Sequence, residues 1–313
     1  MKSLHDFAIE AKPIKEMTMQ AAYKQDTAVG VTASGRALGA DVQNVDLSRP
    51  LDTTAEDIIK QAWADHLVLR FRGQHGLSVE NLAQFSRCFG ELDKAPISTS
   101  RMSDDFVSQN PEITVISNIV KDGKAMGGLG SYEAVWHSDM TYNPLPPKGS
   151  ALYAVEIPPS GGNTQFANMY AAYESLPAKL KERIAGLKCV HDASRTSAGE
   201  LRKGYVEIDD PTKTVGATHP LVRIHPVTGK QSLFLGRRRN AYVVGLSLED
   251  SEELLDSLWA HATQEQFVWT QVWQLGDLVL WDNRCTMHRR DAFDSNTRRL
   301  LYRTQITGEA VLA

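Results

Sequence analysis

Cysteine is scarce in this chain: Cys88, Cys189 and Cys285 are its only three, far apart and with no CxxC pair. An odd, scattered set excludes a disulfide framework and a zinc ribbon, and fits a reducing cytoplasm. Charge of one sign is also scarce. The 34 Lys and Arg and 38 Asp and Glu are interspersed and leave a net charge of −4. The one basic cluster, Arg237-Arg238-Arg239, reads as a solvated face that could steer anions or join a subunit contact. No nucleic-acid partner is expected. No apolar run is long enough to span a bilayer, and Met1 to Asp6 lack the apolar core of a signal peptide. Internal repeats and low-complexity tracts are absent as well. What remains is the expectation of an intracellular globular protein.

The pattern that is present begins weakly. Residues 1–28 read as a polar N-terminal extension, and residues 29–313 as a single domain. Strands are expected around Val29–Val31, Leu38–Val42, His66–Phe71, Ile113–Asn118, Ala151–Val155 and Thr164–Phe166, and again at Phe267–Trp273, Leu278–Trp281 and Leu300–Ile306. Helix starts are expected at Thr53-Thr54 before Glu56 and Asp57, at Ser78, and at Ser247 before Glu249 and Asp250. Further helical stretches cover Met169–Leu176 and Ala178–Leu187. Strands on both sides of helical insertions, without βαβ alternation, predict an α+β chain rather than a doubly wound sheet. A double-sheet jelly roll with insertions fits better. Gly123, Gly127, Gly128 and Gly130 cluster just before the most reactive-looking residues, and read as an active-site lid.

Those residues are Trp136-His137-Ser138-Asp139. On a strand, positions i and i+2 share a face, so His137 and Asp139 would offer an imidazole and a carboxylate to one point. With a second imidazole they make the facial triad of non-haem Fe(II) oxygenases. An HxD tripeptide alone is weak, and a core histidine beside a surface Asp is its plainer meaning. The case rests on residues far along the chain. His288 comes after the Leu278–Trp281 strand, and Arg299 stands 11 positions later. The planar guanidinium of Arg299 suits a carboxylate held by two parallel hydrogen bonds. Arg303, four residues on, would face the same side.

These residues resemble the taurine dioxygenase and 2,4-dichlorophenoxyacetate dioxygenase family of Fe(II)/2-oxoglutarate oxygenases. The likeness runs from about Gly30 to Gly308. It is carried by Leu69–Gln74, Phe89–Leu92, Trp136–Asp139, Pro159–Thr164, Leu275–Asn283 and Arg298-Arg299. It implies a cupin-like double-stranded β-helix with flanking helices, and His137, Asp139 and His288 as catalytic iron ligands. Thr164 and Arg299 would bind the distal carboxylate of 2-oxoglutarate, with O2 as the other co-substrate. Arg303, with Asn118 and Glu133, would meet the primary substrate, a small organic acid. Ala262-Thr263-Gln264 and Trp281–Cys285 place the likeness nearer the aryloxyalkanoate-degrading branch. Ala95 and Ser98 depart from the taurine-binding pattern, and Glu133 replaces an Asn of the relatives. A carboxylate at 133 would favour a substrate bearing an amine or hydroxyls. The resemblance also implies a homo-oligomer, a dimer or tetramer.

Two other classes remain open on the residues alone. A zinc or manganese hydrolase or isomerase on a cupin-like barrel would use the same three ligands, but would not need Arg299 and Thr164. A non-catalytic binding protein would be expected to have lost a ligand or the arginine. Trp136, Trp273 and Trp281 read as core aromatics, and His66, His191, His219, His225 and His261 as ordinary packing or polar residues. Cys285 and Met287 are expected to pack inward.

Overall fold

Short alternating runs become strands wherever a Gly or a polar turn ends them. In the computed structural model, which describes residues 28–95, 106, 109–131 and 134–313, the main strands in chain order are β1 (Gly30–Ala33), β2 (Ala40–Gln43), β3 (Val68–Phe71), β4 (Thr114–Ser117), β5 (Gly128–Leu129) and β6 (Ala134–His137). They continue as β7 (Gly149–Glu156), β8 (Thr164–Asn168), β9 (Val268–Gln271), β10 (Leu278–Asp282), β11 (Thr286–Arg290) and β12 (Leu300–Ile306). The longer helices are α1 (Thr53–His66), α2 (Val79–Arg87) and α5 (Leu248–Ala262), with short α3 (Met169–Glu174) and α4 (Ala178–Ile184) between. The α+β class is the one observed. The expected N-terminal extension, apart from Ala28, lies outside the described residues, as do Ser98 and Glu133.

The strands form an eight-stranded mixed sheet, ordered β1-β2-β3-β10-β7-β12-β4-β5, and a four-stranded antiparallel sheet, β9-β8-β11-β6. One apolar cluster draws Leu152, Val279, Trp281 and Leu301 from the first and Phe166 and Trp269 from the second, so the sheets face each other across it. Strand β10 is buried on both faces. Val279 and Trp281 turn to this inner cluster, while Leu278 and Leu280 turn outward beneath Ile59 and Trp63 of α1 and Leu82 and Phe85 of α2. A strand covered on both sides loses the polar half of its alternation. On the far side of the small sheet, Leu254, Leu255 and Leu258 of α5 pack with Met169, Ile184 and Met287. Each such fully buried side chain contributes about 1.5–3 kcal/mol of transfer free energy.

The helix starts carry the expected chemistry, with one change. Ser78 and Ser247 accept from Asn81 N and Asp250 N, but α1 is capped by Asp52, which accepts from Ala55 N at 2.8 Å, rather than by either threonine. The glycine-rich stretch after β4 is also more ordered than a bare loop. Val120–Lys121 and Lys124–Ala125 pair as a ribbon, and β5 lies parallel to β4. A Cβ on Gly127 would stand 2.6 Å from Val115 O, so close approach to β4 requires glycine there.

Candidate metal centre

The centre is assembled from the small sheet. In the β6–β11 pairing His137 lies directly opposite His288, with ring centroids 4.2 Å apart. Cross-strand neighbours on one face are the closest side chains a sheet provides. The third residue arrives by a different route from the one its sequence position predicts. Strand β6 ends at His137, and Asp139 sits in the turn beyond it. Pleat alternation therefore does not aim its carboxylate. Asn283 does: its Oδ1 accepts from Asp139 N at 2.7 Å, and its Nδ2 donates to Asp139 O and to Pro147 O, both at 2.9 Å. Met140 comes next in the left-handed region with φ of 47°, a strained turn for a residue with a side chain.

The outcome is three buried ligand-type atoms around one point. Asp139 Oδ1 lies 3.7 Å from His137 Nε2 and 4.0 Å from His288 Nε2. His137 Nδ1 meets Val135 O at 2.7 Å, which fixes the tautomer with its proton there and leaves the Nε2 lone pair directed to the centre. Burial, and after it the charge of His137, pushes the His288 pKa down to about 3, so its imidazole is neutral. Burial opposes ionisation of Asp139 most strongly, yet Arg303, His137 and His288 together outweigh it and hold that carboxyl well below the usual range. Arg303 Nη1 stands 3.3 Å from both Asp139 oxygens. Two imidazoles and one carboxylate fit a divalent first-row metal.

A small cavity opens on this group, lined by His137, Thr164, Trp281, His288, Arg299 and Arg303 among others. Arg299 is 2% exposed, immediately before β12, and its Nε has no partner. Its Nη2 donates only to Gly162 O at 3.3 Å. Burial first, then the neighbouring Arg290 charge, lowers its pKa well below the ordinary value, with no acid among the causes. A buried guanidinium without a counter-ion among the described residues calls for an anionic ligand. Gly161 and Gly162 explain how the chain passes so near: both have positive φ, and a Cβ on Gly162 would stand 3.2 Å from Arg299 Nε. Thr164 Oγ1, on the same wall, accepts from Trp273 Nε1 at 3.1 Å.

Other sequence expectations fall elsewhere. Asn118 does not line the cavity. Its Oδ1 accepts from Arg299 N at 2.9 Å and its Nδ2 donates to Thr297 O at 2.7 Å, which ties down the start of β12. Ala262-Thr263-Gln264 forms the end of α5, with Ala262 fully buried and Thr263 bonded to Trp259 O. Cys285 and Met287 do pack inward. The run Arg237–Arg239 is not one solvated face. Arg238 pairs with Glu252 and Asp256 and Arg239 with Glu207, while Arg237 is buried. The clamp made by Asn283 escapes a residue-by-residue reading, although the Trp281–Asn283 string that contains it is one of the family-like motifs.

A second group, His225, Asp282 and Cys285, also brings three ligand-type atoms together. Here the carboxylate is saturated. Asp282 Oδ1 accepts from Arg284 N and Nε, and Oδ2 accepts from Arg284 Nη2 and His225 Nε2. It braces the turn that carries Asn283 rather than offering a lone pair.

The sequence profile described as taurine catabolism dioxygenase TauD, TfdA family matches residues 30–305. The chain is 36% identical over 281 residues to an alpha-ketoglutarate-dependent 2,4-dichlorophenoxyacetate dioxygenase of Cupriavidus pinatubonensis, covering 87% of this chain and 96% of that one. It is 34% identical over 283 residues to a pentalenolactone F synthase of Streptomyces avermitilis, covering 85% and 90%. The solved structure of AAD-2 with Mn(II) and N-oxalylglycine superposes with a TM-score of 0.74 at 29% identity, covering 92% of this chain and all 100% of the other. The chain belongs to the TauD/TfdA family of dioxygenases, enzymes that work with Fe(II), 2-oxoglutarate and O2.

Proposed function

We propose that this dioxygenase hydroxylates a small organic acid, with His137, Asp139 and His288 holding the iron. The observation that carries the reading is the cavity that joins His137 and His288, beside Asp139, to a buried Arg299 with no counter-ion among the described residues. Arg299 and Thr164 would bind the distal carboxylate of 2-oxoglutarate, Arg299 through the fork that a carboxylate accepts in two places. Asn118 would act behind Arg299, by holding its backbone. Arg303 would release Asp139 to the metal and turn its guanidinium to the acid group of the primary substrate. Trp281, Leu152 and Ile116 give the cavity apolar walls, which keep water from the reacting carbon. When bound, Fe(II) and 2-oxoglutarate supply the O2 activation that oxidises a C–H bond, with succinate and CO2 as co-products. Hydroxylation at a carbon bearing an ether, amine or sulfonate gives a product that sheds that group and leaves a carbonyl.

The substrate is read as nearer an aryloxyalkanoate than taurine. The 2,4-dichlorophenoxyacetate relative and the Trp281–Cys285 run support this, while the equally similar pentalenolactone enzyme widens the range of carbon skeletons. The same reading takes the two facing sheets as a double-stranded β-helix, the 120–130 ribbon as its lid, residues 29–313 as one catalytic domain, and the protein as a homo-oligomer. O2-free protein given Fe(II) and 2-oxoglutarate should show a keto-acid charge-transfer band, and an organic acid should then stimulate succinate release in air. A band that never forms would return a zinc or manganese hydrolase to first place.

A further inference from the structure

Arg237 sits on the opposite edge of His137 from His288. Gly236, with φ of 71°, passes so close to His191 that a Cβ would stand 2.1 Å from its Nδ1. That turn lets Gly236 O accept from Ser138 N at 3.2 Å and brings Arg237 into an antiparallel bridge with His137. The Arg237 side chain is then trapped inside: the residue is 9% exposed. Its Nη1 donates to Arg195 O at 3.2 Å, its guanidinium lies 5.7 Å from the centre of the Tyr142 ring, and its Nε has no partner. Arg202 stacks on that same ring at 4.1 Å, so a second cation shares the ring and no acid does. Burial, and after it the Arg202 charge, brings the Arg237 pKa down to about 10, which leaves it cationic at neutral pH. Its charge is felt at His288, and two carboxylates, Asp139 and the buried Asp192, favour it without forming an ion pair with it among the described residues.

Its two neighbours in sequence each have an acidic partner; Arg237 makes no ion pair among the described residues. A buried, half-satisfied guanidinium carries a desolvation cost that an apolar residue of similar size would avoid. The nearest carboxylate of the centre, Asp139, is the one the metal would take. Arg237 is also absent from the wall of the cavity that holds Thr164, Arg299 and Arg303, so an anion it bound would stand apart from both the co-substrate anchor and Arg303.

We propose that Arg237 is an anion subsite for the primary substrate, separate from Arg303, and that the preferred substrate class is a dianion. A dicarboxylate, or a carboxylic acid that also bears a sulfate or phosphate ester, would satisfy both guanidiniums. This rests on the oxygenase reading above.

The test uses O2-free protein loaded with Mn(II) and saturating 2-oxoglutarate, titrated calorimetrically with matched pairs of one- and two-acid probes. Phenoxyacetate against 4-carboxyphenoxyacetate and hexanoate against adipate are suitable. In the wild type the two-acid member of at least one pair should bind about 10- to 100-fold more tightly, the worth of one charge-assisted hydrogen-bonded contact. Arg237→Gln should erase that advantage while leaving the one-acid probe unchanged, and Arg303→Gln should weaken both. Arg237→Lys, which keeps the charge, should restore part of the advantage. An advantage that survives Arg237→Gln, equal weakening of both probes, a wild type that favours one acid, or no binding by either series would each overturn the proposal. Should Arg237→Gln fail to fold, Arg237→Lys and the wild-type preference still decide it. Calorimetric binding of 2-oxoglutarate itself, measured first, separates these outcomes from failure of the oxygenase reading.

Discussion

Two clusters in this protein bring together the same kinds of atoms, and only one has lone pairs to give. His137, Asp139 and His288 converge beside a cavity, whereas His225, Asp282 and Cys285 converge inside a finished network. Asp139 is approached by one arginine at 3.3 Å, through Nη1 alone. Asp282 is gripped by Arg284 through both oxygens, at 2.9 and 2.6 Å, and by His225 at 3.0 Å. Both carboxyls are held below their ordinary pKa despite burial. Residue type, burial and spacing therefore do not separate a metal centre from a brace. Unused acceptor capacity and access do.

The comparison can be broken at four places, taken from the largest effect down. His288→Ala should abolish both stoichiometric Fe(II) binding and substrate-stimulated succinate release, whereas His225→Gln should preserve metal stoichiometry. Retained iron in His288→Ala, measured on the folded protein, would remove the ligand assignment. Next, Arg284→Met strips the partner from a buried carboxylate and should cost about 3–5 kcal/mol in denaturant unfolding. A loss within a few tenths would show that the Asp282 network is not a brace.

Asn283→Asp keeps an acceptor for Asp139 N but loses the donors to Asp139 O and Pro147 O. Mn(II) affinity should drop about 10- to 100-fold, with Asn283→Ala falling further; unchanged affinity in both would free Asp139 from the clamp. The most gradual effect, spread over several pH units, concerns pH. His288 and His191 both have folded pKa values near 3, each lowered first by burial. Unfolding exposes them to an ordinary value of 6.5, so the unfolded state binds more protons between those limits. Metal-free protein should lose up to about 1.4 kcal/mol per pH unit per histidine as pH falls from about 6.5 toward 3. His288→Gln should flatten that slope, and an identical slope would mean its imidazole is already protonated in the fold.

Much of the site is legible in the chain because its parts are local strings. His137 and His288 are strand residues, Gly161-Gly162 is a turn, and Arg299 stands at a fixed distance before a strand. Asp139 is legible as a member of the group, but pleat alternation is an incomplete reason for it. Alternation ends at His137, and the carboxylate reaches the centre because Asn283, 144 residues away, holds its backbone. Asn118, expected among the substrate contacts, ties down the backbone of Arg299. The three arginines at 237–239 look alike in the chain. Their acidic partners come from α5 and from Glu207, and no local signal marks which arginine turns inward.

By itself the sequence determined the elements and the chemistry on offer: alternation, caps at Ser78 and Ser247, and a donor set of two imidazoles and a carboxylate. These arise from forces acting within a few residues. Tertiary structure alone decided which carboxylate keeps free acceptors, which arginine is left without an ion pair among the described residues, and where Asp139 points. Hydrogen-bond saturation and charge pairing are settled between segments far apart in the chain, by which partners the packed sheets bring within reach.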